Sequence, residues 1–133
     1  MTVQPYADPP ATTDHRFGLH HVQLAIPPGG EDASRDFFVG VLGMTEVTKP
    51  SRLAARGGLW VRADALEIHL GVEEGFAPQR KAHPGILVAD LDAVARDLEA
   101  ADHEVRWDDA FPGMRRLYVD DPHGNRIELL SPL

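Results

Sequence analysis

The chain contains seven histidines (His15, His20, His21, His69, His83, His103 and His123) and no cysteine. Without thiolates, imidazoles and carboxylates are the only strong donors left for a transition metal. Disulfides, thiol catalysis, zinc fingers and Fe–S clusters are excluded on the same ground. Four ligand-type residues stand at matched intervals: His21 to His69 is 48 residues, and His83 to Glu128 is 45. Two neutral imidazoles and a carboxylate can hold a divalent ion and leave positions open for water or substrate, and a third imidazole makes the site more closed and richer in nitrogen. His15, His103 and His123 lie in a terminal segment or at turns and are read as surface or hydrogen-bonded residues. His20 falls on the opposite side of its strand from His21 and is expected to pack or hydrogen-bond.

The elements that must position these residues repeat. Leu19–Ile26 alternates, with Val22, Leu24 and Ile26 on one face and His21, Gln23 and Ala25 on the other, which is strand periodicity. Pro27-Pro28-Gly29-Gly30 ends it. Glu31–Leu42 reads as a helix, with Ala33, Phe37, Phe38, Val41 and Leu42 at helical spacings, acids at its start and Gly43 just past its end. Strands follow at Met44–Thr48, Leu59–Ala63 and Ala65–Val72, with a tight turn at Asp64. The pattern then restarts: a strand at His83–Val88, an Asp90-capped helix with the stripe Leu91, Val94, Leu98 and Ala101, and strands at Glu104–Trp107, Arg115–Asp120 and Asn125–Leu130. Asp102 occupies the left-handed position that ends the second helix, and Asp121-Pro122-His123-Gly124 turns the last two strands.

Each half is therefore β-α-β-β-β. Leu59-Trp60-Val61 parallels Leu117-Tyr118-Val119, and Leu66-Glu67-Ile68-His69-Leu70 parallels Asn125-Arg126-Ile127-Glu128-Leu129. His21 pairs with His83 and His69 with Glu128, all four on the strand face turned away from the helices. The same parity puts Gln23, Trp60, Arg62, Arg116 and Tyr118 on the pocket side, with Arg62 and Arg116 as candidates to hold a carboxylate or phosphate.

The 133 residues support one domain. Residues 1–16 read as a flexible tail, 17–72 as module one, 73–82 as a polar linker and 83–133 as module two. The net charge is −8 with no basic run, so nucleic acids and anionic membranes are poor partners. No apolar stretch is long enough for a membrane-spanning helix, and Met1–Arg16 lacks the basic start and apolar core of a signal peptide. A cytoplasmic α+β domain is expected.

Four segments carry a family resemblance: LHHVQLAI (19–26), RDFFVGVLGM (35–44), HPGILVADLDAV (83–94) and LYVDDPHGNRIELLSP (117–132). The chain resembles the vicinal oxygen chelate superfamily, which includes glyoxalase I, bleomycin-resistance proteins, fosfomycin-resistance enzymes, methylmalonyl-CoA epimerase and extradiol dioxygenases. The resemblance spans residues 19–132. It implies paired βαβββ modules forming curved mixed sheets around a metal-binding cleft, with His21, His83 and Glu128 as ligands of Zn, Ni, Co, Mn or Fe. A fourth ligand falls on His69, where glyoxalase I and the epimerase carry Glu or Gln. That departure leaves Glu128 as the one ligand able to leave the metal and act as base. Tyr118, ten residues before Glu128, matches the acid–base tyrosine of extradiol dioxygenases, although a third imidazole would fill a position those enzymes keep open.

The function implied is a metal-dependent, glyoxalase-like lyase or isomerase that chelates a small oxygen-rich substrate through neighbouring oxygens. The alternatives are an antibiotic- or metabolite-binding resistance protein without turnover and an extradiol-type dioxygenase. By resemblance the protein is also expected to be a homodimer, with His21 and His69 of one chain meeting His83 and Glu128 of the other.

Overall fold

A computed structural model describes residues 3–133. Met1 and Thr2, part of the expected tail, lie outside the described residues. The rest of that segment is exposed and carries no helix or strand, and Tyr6 sets its ring 5.5 Å from that of Phe111.

Among the described residues twelve segments of regular structure occur, in the expected order except for one added short helix, α2. Module one holds β1 (Val22–Ile26), α1 (Glu31–Arg35) running into a π-helical segment (Asp36–Val41), β2 (Thr45–Val47), α2 (Ser51–Ala54), β3 (Leu59–Ala63) and β4 (Leu66–Val72). Module two holds β5 (Gly85–Leu87), α3 (Leu91–Ala100), β6 (Arg106–Asp108), β7 (Met114–Asp120) and β8 (Arg126–Pro132). The strands form two separate four-stranded mixed sheets, ordered β1-β4-β3-β2 and β5-β8-β7-β6. In each, the first and last strands of the module run parallel and the other neighbours antiparallel.

Several expectations are corrected in detail. The first strand starts at Val22, so His21 stands just before it, and the fifth starts at Gly85, so His83 stands two residues before it. Proline at position 84 has no N–H to give a ladder. The first helix is not regular to Leu42: the Leu42 amide donates to the Phe37 carbonyl five residues back, at 3.0 Å. This wider turn accompanies the burial of both adjacent rings, Phe37 and Phe38. The helix α2 is too short for any periodicity to announce it. Other local expectations hold. Asp90 accepts the Ala93 amide as N-cap at 3.0 Å, and Asp64 and Asp102 take left-handed φ values of 51° and 64°.

One core spans both modules. Ile26, Phe37, Phe38, Val61 and Ile68 join Leu98, Leu117, Val119 and Ile127 in a single buried cluster. The turn after β7 locks the modules together. Asp121 Oδ1 accepts the His123 and Asn125 amides at 2.9 Å each, which shapes the turn. Asn125 then donates to the Ala25 carbonyl at 2.8 Å and accepts the Gln79 amide at 2.9 Å. His123 Nε2 lies 3.0 Å from both the Gly30 carbonyl and Ser34 Oγ, and His103 stands edge-on to Phe37. Both histidines are thus packed, hydrogen-bonded or aromatic contacts at the module interface, remote from the strand faces that carry the other four. No helix among the described residues is long and apolar enough to cross a membrane.

Candidate metal and ligand site

The registers show why the two halves carry matching residues. In the first sheet His69 lies between Gln23 and Trp60; in the second, Glu128 lies between Gly85 and Tyr118. His69 and Glu128 are therefore equivalent, as are Trp60 and Tyr118. Two residues before Gln23 and Gly85 stand His21 and His83. Both central donors are buried, His69 at 6% and Glu128 at 7% exposure.

In the first half-site the His69 ring is stacked between Trp60, at 3.8 Å and 2°, and His21, at 3.9 Å and 15°. Its Nε2 lies 2.6 Å from Glu67 Oε2. Imidazole lone pairs lie in the ring plane. In two nearly parallel rings they cannot converge on one point, so ligation of a single ion by both His21 and His69 requires one ring to turn out of the stack. Glu67 is a residue that sequence reasoning missed as a participant. Arg62 Nε bonds its other oxygen at 2.5 Å, and that guanidinium, with His69, holds the Glu67 carboxyl down at about 2. Its signal was available: two residues from His69 on the same strand puts it on the same face. His20 contacts His21 through the Nδ1 atoms at 2.9 Å.

The second half-site is arranged differently. His83 Nδ1 lies 2.7 Å from the Lys81 carbonyl, an acceptor, so Nδ1 carries the hydrogen. In the neutral ring Nε2 is then a bare lone pair, and it faces Glu128 Oε1 at 3.0 Å. Two acceptors at that distance need a positive centre between them, either a second proton or a metal ion. Donors about 2.1 Å from one ion and at right angles to each other are about 3.0 Å apart, so the separation suits a divalent metal. Glu128 Oε2 accepts from Arg116 at 3.3 Å, and Arg116 also bonds Asp108 at 2.9 Å. Tyr118 stands edge-on to His83, with ring centres 5.5 Å apart.

Each half-site is assembled, but the two do not meet within one chain. Among the described residues no group of three or more His, Asp or Glu side chains is placed to hold a metal ion. Two of the expected substrate-binding cations are already paired: Arg62 Nε with Glu67, and Arg116 with Asp108 and Glu128. Gln23 and Trp60 do line a hollow of about 430 Å³ beside His21 and His69. Gln23 is laid across Gly71, where a Cβ would come within 2.8 Å of its amide.

The sequence model of the Glyoxalase/Bleomycin resistance protein/Dioxygenase superfamily matches residues 18–129. The chain belongs to that superfamily. A glyoxalase family protein from Bacillus anthracis is 40% identical and superposes with a TM-score of 0.87, covering 92% of this chain and all of its own. A genomically encoded fosfomycin resistance protein from Listeria monocytogenes shares the fold at 15% identity and a TM-score of 0.70, over 88% of this chain and 94% of its own. An antibiotic binding protein from Streptomyces shares it at 22% identity and a TM-score of 0.65, over 89% of this chain and all of its own. A comparison with curated proteins returned no match. The superfamily assignment accounts for the paired modules.

Proposed function

We propose that the protein is a divalent-metal enzyme of glyoxalase type, a lyase or isomerase acting on a small oxygen-rich molecule. The observation that carries this reading is the confrontation of His83 Nε2 and Glu128 Oε1, two lone-pair donors 3.0 Å apart with Nδ1 already tied to a carbonyl. A metal-ligating histidine usually gives its other ring N–H to an acceptor of this kind. In the proposed arrangement His83 and Glu128 hold the ion with His21, and with His69 once its ring leaves the stack. A bound divalent ion would supply Lewis acidity toward two neighbouring oxygens of the substrate. Glu128, steadied by Arg116, serves as ligand and as the base that takes the substrate proton. Gln23, Trp60 and Tyr118 wall the substrate. The metal is Zn, Ni, Co, Mn or Fe, all of which accept this donor set.

We further infer that the site is shared in a homodimer. The half-sites lie on different sheets of one chain, and a partner chain can bring its second sheet to the first. The edge strands β1 and β5 support this: each ends its sheet, and Leu87 on β5 is 70% exposed.

Elemental analysis of the purified protein after supplementation with each metal tests the reading. About one ion per chain is expected. Metal content near zero under every supplement would instead favour a resistance protein that binds its ligand without turnover. The flat aromatic stack of Trp60, His69 and His21 suits that second role.

A further inference from the structure

The two arginines expected to hold an anionic group on the substrate are occupied by carboxylates, yet the hollow beside His21 and His69 is not short of positive charge. Lys49 and Arg56 line it, and no Asp or Glu does. Neither cation forms an ion pair among the described residues. The backbone places them on purpose-built geometry. Arg56 precedes Gly57 and Gly58, both left-handed, at φ 74° and 77°. A Cβ at position 58 would come within 2.1 Å of the Leu70 carbonyl, so only glycine lets this turn press against β4. Lys49 Nζ donates to the Gly57 carbonyl and braces the same turn. Two carboxylates on neighbouring elements are engaged elsewhere: Glu31 accepts the Gly58 amide at 3.2 Å, and Glu67 lies between Arg62 and His69.

An uncompensated pair of cations in a chain of net charge −8 marks a place where an anion is wanted. The second module offers no equivalent, because Arg115 and Arg116 both face aspartates. We propose that Lys49 and Arg56 form the subsite for an anionic group of the substrate, an oxyanion of the carboxylate, phosphate or phosphonate class, beside the candidate ligands His21 and His69. The guanidinium fork suits two oxygens of such a group and the ammonium a third. This proposal rests on the reading of that hollow as half of the substrate site, and it names the substrate class that reading leaves open.

The test is calorimetric titration of the full chain, as purified and again in EDTA, with inorganic phosphate, methylphosphonate, succinate and the neutral dimethyl succinate. At least one of the anions is expected to bind in both conditions and the diester to fail, and the ranking of the three identifies the oxyanion. Arg56→Gln should weaken that anion at least about tenfold, whereas Arg52→Gln, on the preceding helix α2 and outside the hollow, should not. Lys49→Gln should act in the same direction. Because Lys49 also braces Gly57, the exposed Arg56 decides. Unchanged affinity in Arg56→Gln, or no binding of any anion in EDTA, overturns the subsite. Metal content is measured on the same samples. Anion binding without metal loading removes the metal reading and keeps the subsite, and metal loading without anion binding does the reverse.

Discussion

His69 is held on three sides, by the Trp60 ring, the His21 ring and the Glu67 carboxylate. His83 has only one ring neighbour and a nitrogen aimed at Glu128. The difference sorts the four donors. Replacing His83 or Glu128 with Ala should abolish most metal binding, measured as ions per chain after dialysis, whereas His103→Ala should leave it unchanged. Equal occupancy in all three would dismiss the donor assignment. Residue-scale geometry also sets a stability test. Gly58→Ala meets the Leu70 carbonyl and a left-handed φ together, and should cost about 2–4 kcal/mol in urea unfolding. A loss below about 0.5 kcal/mol would show that the turn relaxes freely.

Between elements, the weightiest contacts run through the turn that joins β7 and β8. Asn125, 1% exposed, satisfies Ala25 and Gln79 of the other parts of the chain as well as Asp121 of its own turn. Asn125→Ala takes their partner from the part-buried Ala25 carbonyl and Gln79 amide and empties a buried position, and should cost about 1–3 kcal/mol. Urea unfolding followed by fluorescence at Trp60 and Trp107 would read this loss, and two separate transitions would show the modules parting. A milder link ties α3 to β7, where Arg115 grips Asp92 through both oxygens at 3.0 and 3.1 Å. That guanidinium lowers the Asp92 carboxyl below its usual 3.8. A lowered folded-state value means that the pair's contribution is fully present above the ordinary carboxylate range and is lost as acid protonates the group. The coupling between Asp92→Asn and Arg115→Gln, from thermal unfolding of both single variants and the double, should therefore be larger at pH 6 than at pH 3. A coupling that does not change with pH would assign the link to packing alone.

For the whole molecule the decisive matter is how two half-sites in one chain become a site. Each sheet has a helix-packed face and a face bearing donors, and the two donor faces do not close on each other among the described residues. If chains share sites, a His21→Ala chain mixed with a Glu128→Ala chain has one intact pair of half-sites per mixed dimer, and metal binding should partly return. The mixture is assayed after subunit exchange has been verified by mass spectrometry of tagged chains. No recovery despite exchange would place each site within a single chain and overturn the shared arrangement.

Alternation is a local property, and it was legible. Period two along β1, β4 and β8 put His21, Glu67, His69 and Glu128 on one side before any pairing was known, and the internal repeat made His69 and Glu128 equivalent, as the registers place them. The Asp90 cap and the left-handed Asp102 were equally legible, because caps and turns are set by neighbours in the chain. What the tertiary structure decided was which partner each side chain found. Arg62 and Arg116 share the pocket face with the donors, but only the strand registers bring Glu67 opposite Arg62 and Asp108 opposite Arg116 and so give each a carboxylate partner. The helix α2, four residues long, had no period to reveal it, yet with its flanks it carries Lys49 and Arg56 to the hollow. The separation of His21 and His69 from His83 and Glu128 within one chain was expected from the family resemblance and not from the spacing itself. Donor spacing along a chain says which face each residue takes, whereas the meeting of two faces depends on how whole sheets are set against one another by contacts such as those of His123 and Asn125.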